Sequence, residues 1–280
     1  MSSNLTDLGY NGKVVVITGC ATGIGKATAQ KLIGLGAQVY ALDIKEPQFK
    51  VKQYIPIDMG SKISIEQAVG ALPDTVDFVF NCAGIAGTSY AGKTFTPKQV
   101  MNINFVGVKH FVELIKEKLN PHSAIAIVAS VAAFAWEAKK EILLPLISCK
   151  TYEEAQNWLD SHLSDEKVMA QKTEENGVYF LSKEALVAWV KYVAMAYSEQ
   201  HIRINTISPG ATNTAMTEDF NIIFKKVISE DFTSVAGIAT PEDQANALLL
   251  INSSLSSYIS GQDIQVDFAG ATQYLFHKGE

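Results

Sequence analysis

Tyr179 and Lys183 stand four positions apart in the segment Tyr-Phe-Leu-Ser-Lys. In a helix, residues four apart lie on one face, which brings the lysine ammonium one turn from the phenol. A free tyrosine titrates at about pH 10, and a neighbouring positive charge favours its phenolate. Such a pair can donate a proton to a carbonyl oxygen or take one from an alcohol.

The spacing alone is weak evidence, because Tyr274 and Lys278 repeat it near the end of the chain. Their positions differ, since Tyr179 opens a stretch, 179–199, that continues in a helical pattern and leads into a strand at 203–207. We therefore assign the proton-transfer chemistry to Tyr179 and Lys183.

A glycine-rich turn at 18–25, Thr-Gly-Cys-Ala-Thr-Gly-Ile-Gly, follows a β-branched run at 14–17. That run is typical of a strand buried on both faces of a parallel sheet. A helical pattern at 24–35 and a second strand at 38–43 complete a βαβ unit. In this setting glycines let the backbone approach a pyrophosphate, and the helix N-terminus attracts its charge. The alternative is a tight structural turn without a ligand.

Asp43 ends the second strand and indicates which dinucleotide would bind. A carboxylate at this place accepts hydrogen bonds from the adenosine ribose hydroxyls and repels a 2′-phosphate, which predicts NAD as the cofactor rather than NADP. In the alternative, Asp43 merely starts a loop, and Lys45 nearby could soften the discrimination.

Further strands are predicted at 54–55, 77–80, 124–128, 203–207 and 263–266, with helical stretches between most of them. The alternation predicts an α/β fold, a single-domain Rossmann-type doubly wound parallel sheet with helices on both faces. The length of 280 residues and the 48% hydrophobic composition fit one domain over 1–280. Thr240 and Pro241, followed by two acids, mark a helix start.

The net charge of -6 and the absence of long Lys/Arg runs argue against nucleic acid as a partner. No apolar stretch reaches the length of a membrane span. Cys20, Cys82 and Cys149 lack the spacing of a zinc site or a disulfide framework. We therefore expect no metal and a cytoplasmic location.

Taken in order, T-G-x-x-x-G-I-G, N-x-A-G, N-x-x-G, a serine, Y-x-x-x-K and P-G resemble the short-chain dehydrogenase/reductase family over nearly the whole chain. The resemblance implies four catalytic residues, Tyr179, Lys183, Ser130 and Asn104. Ser130 would hydrogen-bond the substrate oxygen, and Asn104 would hold a water against the lysine. The alternatives are that Ser130 only ends a strand and that Asn104 caps or kinks a helix.

The glycine turn and the resemblance together imply cofactor-binding residues spread along the chain. They are Gly19, Thr22, Gly23, Ile24, Gly25, Asp43, Asp58, Met59, Asn81, Ala83, Gly84, Tyr179, Lys183, Pro209, Gly210, Thr212 and Thr214. The pair 58–59 would flank the adenine, 81–84 would support the sheet and the adenosine side, and 209–214 would clasp the nicotinamide carboxamide. Alternatively, backbone groups satisfy the two threonines.

The gap between Ser130 and Tyr179 exceeds the usual gap in this family, which predicts an insertion at about 136–176. One interpretation is an extra amphipathic helix packed on the body, with Thr151 and Glu154 in capping-box spacing. In a sharper interpretation, its aromatic and leucine side chains also wall the substrate pocket. The insertion resembles the family branch of 3α-hydroxysteroid dehydrogenase/carbonyl reductase and coniferyl-alcohol dehydrogenase, which implies a bulky, steroid-like or aromatic substrate.

Residues at about 214–234, including Met216, Phe220 and Phe224, are predicted to form a lid over the substrate; the alternative is an ordinary surface helix pair. Phe268, where relatives have a glycine pair, could push the C-terminal tail differently over the pocket. The resemblance implies a homo-oligomer, a dimer or a tetramer. The insertion argues against the usual tetramer, because it adjoins the helix that the family commonly uses for subunit contacts.

The leading hypothesis is an NAD-dependent oxidoreductase that interconverts a small-molecule secondary or aromatic alcohol and its carbonyl compound by hydride transfer. The alternatives are an NAD-binding regulator without catalysis and a lyase or epimerase that uses bound NAD. The complete set of site residues favours the first.

Overall fold

A computed structural model of the chain describes residues 8–87, 89–90, 92–169, 174–223 and 236–276. Its strands are Val14–Thr18 (β1), Gln38–Asp43 (β2), Gln53–Pro56 (β3), Val76–Asn81 (β4), Ser89–Tyr90 (β5), Lys93–Thr94 (β6), Leu119–Val128 (β7), Arg203–Pro209 (β8) and Asp263–Val266 (β9). Seven of them form a parallel sheet in the order β3-β2-β1-β4-β7-β8-β9, and β5 and β6 form a separate antiparallel hairpin. The predicted parallel sheet is confirmed.

Strand β1 lies at the point where the strand order reverses. Val15 pairs with Val39 of β2 on one side and with Phe78 of β4 on the other, and it is fully buried. Helices that leave neighbouring strands in opposite directions open a crevice at the carboxyl ends of such strands, where α/β proteins bind ligands. The glycine-rich turn after β1 enters this crevice.

Helices cover both faces of the sheet, as predicted. They are Gly23–Gly34 (α1), Lys62–Gly70 (α2), Pro97–Met101 (α3), Gly107–Ile115 (α4), Lys140–Ile147 (α5), Tyr152–His162 (α6), Glu166–Met169 (α7), Glu174–Ser198 (α8), Ala215–Ile223 (α9), Pro241–Asn252 (α10) and Gly270–Phe276 (α11). Tyr10, Leu32 and Phe80 belong to the apolar cluster beneath α1 and α10, whereas Phe105 and Trp189 belong to the larger cluster on the opposite face.

The predicted start of α10 is confirmed. Thr240 Oγ1 accepts a hydrogen bond from the backbone N–H of Asp243 at 3.2 Å, and the Asp243 carboxylate accepts one from the N–H of Thr240 at 2.8 Å. Two N–H groups that the helix itself cannot satisfy are thereby paired.

Helix α8 begins at Glu174, so the expectation that Tyr179 opens this helix was wrong. Tyr179 lies in its second turn instead, where the backbone is already helical on both sides. This places the phenol on a rigid part of the helix rather than at an end that frays.

The predicted insertion forms two longer helices, α5 and α6, on the outside of the body. Ala155, Trp158 and Leu159 of α6 are buried, as the helical pattern predicted. Thr151 caps α6 by accepting from Glu154 N at 3.1 Å, but the Glu154 carboxylate accepts from Lys150 N at 2.7 Å. The full capping box was therefore a wrong prediction, because the carboxylate reaches one residue further back.

Helix α9 covers the first half of the predicted lid, and residues 224–234, including Phe224, lie outside the described residues. After β9, Phe268 and Ala269 adopt φ angles of 49° and 66°, a region that favours glycine. Phe268 is 74% exposed, so its ring points away from the interior. None of the helices in the described residues combines the length and apolar character that a membrane crossing requires.

Candidate active site

The glycine-rich turn lies between β1 and α1 and faces the crevice. Gly19 has a φ of 68°, and a Cβ there would come within 2.5 Å of the backbone nitrogen of Ala83. Only glycine lets the turn lie this close to the segment after β4. The Thr22 side chain does not cap α1, whereas Ser61 caps α2. The first-turn N–H groups of α1 thus lack a side-chain acceptor from the N-cap residue and suit an anion.

Asp43 stands at the end of β2, beside this turn. One carboxylate oxygen accepts a hydrogen bond from Ala21 N at 2.8 Å, and the other accepts from Lys45 N at 3.1 Å. These bonds hold the carboxylate in a fixed orientation, and each oxygen keeps a further acceptor position. Asp43 can therefore receive two neighbouring hydroxyl groups of a ligand.

Tyr179 is 4% exposed, and its ring meets the ring of Phe220 edge to face with centroids 5.1 Å apart. Burial raises the pKa of Tyr179 to about 12, and a hydrogen bond with Ser130 acts in the lowering direction. Ser130 follows β7, and its hydroxyl accepts from Ala132 N at 3.1 Å. The structure thus brings the predicted serine and tyrosine into contact.

Lys183 is 5% exposed, and its Nζ donates to the Val128 carbonyl at 3.1 Å. The ammonium lies 5.8 Å from the centroid of the Tyr179 ring. Burial lowers the pKa of Lys183 to about 8, with the Cys82 thiol acting in the raising direction. In the protein alone, burial therefore raises the pKa of the Tyr179 phenol by more than the nearby lysine was expected to lower it.

Asn104 lies in a π-helical turn, Asn102–Val106, between α3 and α4. Its side-chain oxygen accepts from Ile85 N at 2.9 Å, and its amide donates to Ile85 O at 3.0 Å and to Ser182 Oγ at 3.2 Å. Ser182 in turn donates to the carbonyl of Tyr179 at 2.7 Å. The side chain of Asn104 is fully engaged in joining the segment after β4 to α8. π-Turns of this kind occur frequently at functional sites.

The loop after β8 carries Gly210, whose N–H donates to Val266 O at 3.1 Å. Thr212 Oγ1 donates to the Gly210 carbonyl at 2.9 Å, and Thr217 donates to the Thr212 carbonyl. The structure therefore agrees with the alternative interpretation of Thr212, in which a backbone group satisfies its hydroxyl. The hydroxyl oxygen keeps its acceptor positions, which a carboxamide NH₂ group could use.

Seventeen of the predicted site residues line one cavity of about 710 Å³, and two do not. Asn81 lies beneath it and accepts from Thr18 Oγ1 at 2.7 Å, linking β1 to β4. Asn104 lies behind Gly84, with its oxygen 3.3 Å from where a Cβ on that glycine would be. Asn81 directly precedes the segment 82–85, and Asn104 forms hydrogen bonds with Ile85 within it. Of the second tyrosine–lysine pair, Tyr274 lies in α11 and Lys278 lies outside the described residues.

Several lining residues were missed by the sequence analysis. Lys93 and Phe95 reach the cavity from the β5–β6 hairpin, and Ile85 and Phe180 line it beside Tyr179. A two-residue strand leaves no periodic signal that could have identified the hairpin. Phe180 could have been suspected from its position beside Tyr179.

No residue from 136–169 lines the cavity. The sharper interpretation of the insertion, as a wall of the substrate pocket, was therefore wrong for its described part. Its helices pack on the outer sides of α4 and α8, because their apolar faces complete the cluster around Trp158, Leu186 and Trp189.

The arrangement places a phenol, a hydroxyl and an ammonium beside the glycine-rich turn in a cavity with apolar walls. A phenol that touches a serine hydroxyl can pass a proton to or from an oxygen held between them. Within the part of the chain that the structure describes, no three His, Cys, Asp or Glu side chains come together as metal ligands.

Family models match the chain in two consecutive segments. The model described as "short chain dehydrogenase" matches residues 13–140, and the model described as "Enoyl-(Acyl carrier protein) reductase" matches residues 163–272.

The chain is 28% identical to the coniferyl-alcohol dehydrogenase of Pseudomonas sp. strain HR199, over 94% of this chain and 98% of that enzyme. It is 27% identical to the 3-alpha-hydroxysteroid dehydrogenase/carbonyl reductase of Comamonas testosteroni, over 91% and 95% of the two chains.

The crystal structure of the 3-alpha-hydroxysteroid dehydrogenase from Pseudomonas sp. B-0831, complexed with NADH, has the same fold, with a TM-score of 0.75 at 21% identity over 95% of this chain and 100% of that one. The ligand-free aldohexose dehydrogenase of Thermoplasma acidophilum gives a TM-score of 0.70 at 18% identity, over 95% and 96% of the two chains. Two consecutive family models and relatives along nearly the whole length match this chain. The chain therefore belongs to the short-chain dehydrogenase/reductase family, whose members are oxidoreductases that use a nicotinamide cofactor.

Proposed function

We propose that this protein is an NAD(H)-dependent dehydrogenase/reductase that interconverts a bulky, hydrophobic secondary or aromatic alcohol and its carbonyl compound. The observation that carries the proposal is the placement of Tyr179, Ser130 and Lys183 in the same cavity as the glycine-rich turn and Asp43. A proton-transfer group and a dinucleotide site that share one cavity suit hydride transfer between a cofactor and an alcohol.

The features of the cavity fit a dinucleotide. The uncapped N-terminus of α1 and the close approach that Gly19 allows suit the pyrophosphate, and Asp58 and Met59, which line the cavity after β3, would flank the adenine. Asp43, with its fixed carboxylate, would accept from both adenosine ribose hydroxyls and repel a 2′-phosphate, which supports NAD over NADP. When bound, the dinucleotide supplies or accepts the hydride.

The protein's own groups would manage the substrate oxygen and its proton. Ser130 would donate a hydrogen bond to that oxygen, while Tyr179 gives it a proton in reduction and takes one in oxidation. Lys183 would stabilise the phenolate and hold the nicotinamide ribose. Asn104, whose side chain is engaged with Ile85 and Ser182 in the π-turn, would hold a water against Lys183.

The substrate end of the cavity is apolar. Ala132, Phe180, Met216 and Phe220 cluster with Tyr179 beside the reacting position. Apolar walls with few polar groups suit a hydrophobic substrate held by its one oxygen. The relatives named for coniferyl alcohol and for 3-alpha-hydroxysteroids agree with this class.

The test is an absorbance assay for NADH with a panel of steroid, aromatic and cyclic alcohols. We expect turnover of at least one alcohol with NAD⁺ preferred over NADP⁺. The Tyr179→Phe variant should lose at least about 10²-fold in kcat, because general acid–base catalysis is removed. It should still bind NADH, as measured by fluorescence.

Asp43→Asn is the matched control for the cofactor, since it keeps an acceptor and removes the charge. It should shift the preference toward NADP⁺ without abolishing turnover with NAD⁺. Full activity of Tyr179→Phe, or no formation of NADH from any alcohol, would reject the proposal.

A further inference from the structure

The β5–β6 hairpin brings an exposed positive charge to the cavity. Lys93 and Phe95 both line it, and residues two apart in an extended segment point to the same side. Phe95 is half-buried and packs against the core, which anchors the segment. No hydrogen bond or ion pair with another described residue engages the Lys93 ammonium. The charge is therefore available to a ligand.

The charges along the cavity are unevenly placed. Among the described residues, the charged side chains that line the cavity are Asp43, Lys45, Asp58, Lys93 and Lys183. Asp43 ends β2, Lys45 follows β2 and Asp58 follows β3, on the proposed adenosine side of the strand reversal. Lys183 is buried against the Val128 carbonyl. Lys93 follows β4, on the opposite side of the reversal, and is solvent-accessible.

The hairpin lies beside the apolar end of the cavity. Strand β5 contacts α9, which carries Met216 and Phe220 against the Tyr179 ring. Ala86, three residues before β5, belongs to the same apolar cluster. Lys93 is the cross-strand partner of Tyr90 in β5, so the hairpin holds it near α9. The dinucleotide phosphates would meet the N-terminus of α1 instead.

We infer that the substrate is amphipathic: an apolar alcohol or ketone that carries a carboxylate or similar anionic group at the end distant from its reacting carbon, paired with Lys93. This inference rests on the proposed dehydrogenase function and narrows its substrate class. The apolar residues around Tyr179 would hold the body of the substrate, and the exposed hairpin would receive its charged end.

The experiment compares matched carboxylates and primary amides. The probes are 4-(1-hydroxyethyl)benzoate and lithocholate, a short and a long alcohol, each with its amide. Binding to the enzyme saturated with NADH is measured by calorimetry, because an alcohol and reduced cofactor cannot react. We expect at least one carboxylate to bind about fivefold more tightly than its amide at low salt, the size of an exposed ion pair. Added salt should reduce this preference.

Variants of Lys93 test the assignment. Lys93→Met should abolish the preference for the carboxylate, Lys93→Glu should invert it, and Lys93→Arg should keep it. Lys98→Met is the matched control, because Lys98 pairs with Asp160 at 2.6 Å and does not line the cavity. It should leave the preference unchanged.

Equal binding of carboxylate and amide in both pairs, failure of both carboxylates to bind, or a preference that survives Lys93→Met would overturn the inference. So would a Lys93→Met variant that loses affinity for NADH alone and keeps the preference, since the lysine would then serve the dinucleotide phosphates.

Turnover of the four alcohols with NAD⁺ is followed separately. A Lys93-dependent preference without NADH formation would retain the anion site and reject the dehydrogenase function. Turnover without a charge preference would retain the dehydrogenase function and reject the anion site.

Discussion

Burial governs the protonation of the two residues at the centre of the candidate site. It raises the pKa of Tyr179 to about 12 and lowers the pKa of Lys183 to about 8, and each change disfavours the charged form. The protein alone therefore keeps the phenol protonated at neutral pH. The proposed proton transfer depends on the positive charge that an oxidised nicotinamide would add, which favours the phenolate.

Lys183→Met should stabilise the protein at neutral pH while abolishing activity. A pKa lowered from 10.5 to about 8 corresponds to ~3 kcal/mol against the buried ammonium, and losing the hydrogen bond to Val128 costs about 1 kcal/mol. We expect the free energy of unfolding to rise by about 2 kcal/mol at pH 7, measured by urea denaturation.

The sign of the pH dependence follows from linkage. Between pH 8 and 10.5 the unfolded wild-type chain holds the Lys183 proton more tightly than the native protein, so wild-type stability gains with rising pH through this group. The advantage of Lys183→Met should therefore shrink toward zero by about pH 9.5. If Lys183→Met raised the free energy of unfolding equally at pH 7 and at about pH 9.5, the burial argument would be contradicted.

At the scale of elements, the predicted insertion supports the helices that carry the site. Lys139 and Glu184 form an ion pair of 2.6 Å between the segment before α5 and the residue next to Lys183. Gln156 of α6 donates to Asn102 at 2.6 Å, at the start of the π-turn. These contacts connect the insertion to the segments that hold Lys183 and Asn104, outside the cavity.

Lys139→Met should destabilise the protein by about 3 kcal/mol, because it leaves the Glu184 carboxylate, which is 2% exposed, without its partner. The double variant Lys139→Met/Glu184→Met should recover most of this loss, since no charge then stays buried. Lys98→Met, in an exposed pair, should cost less than about 1 kcal/mol. Chemical denaturation of the three variants gives the comparison, and equal losses for Lys139→Met and Lys98→Met would refute it.

At the scale of the whole molecule, one cavity spans both halves of the sheet. It receives residues from the β1–β3 half, such as Asp43, and from the β4–β9 half, such as Ser130 and Pro209. A ligand that fills it contacts both halves at once. A homo-oligomer stays a prediction, and an assembly through the outer sides of α4 and α8 would have to include α5 and α6.

NADH should therefore stabilise the entire fold. At a concentration 100 times its Kd, a ligand of the native state adds about 2.7 kcal/mol, which for a chain of this length raises Tm by roughly 5 °C. Calorimetric scans should show this rise in the wild type and in Tyr179→Phe. Gly23→Ala should lose it, because a methyl group at a φ of 55° strains the turn where the phosphates are proposed to bind. An undiminished rise in that variant would place the cofactor elsewhere.

The sequence by itself determined where the seven strands of the parallel sheet lie along the chain, the turn after β1, the start of α10 and the pairing of Tyr179 with Lys183 on one helix. Each depends on neighbours within a few residues: runs of β-branched side chains, glycines at a turn, a cap followed by acids, or a spacing of four. Residues close together in the chain are enough to identify such local patterns, and the structure confirms those that it tests.

Only the tertiary structure decided how distant segments meet. The three hydrogen bonds of Asn104, the place of Lys93 at the cavity and the packing of the insertion outside it all join residues far apart in the chain. The same holds for the pKa values of Tyr179 and Lys183, since burial depends on what packs around a side chain. No local pattern encodes such contacts, because they arise when the sheet and its helices close around the cavity.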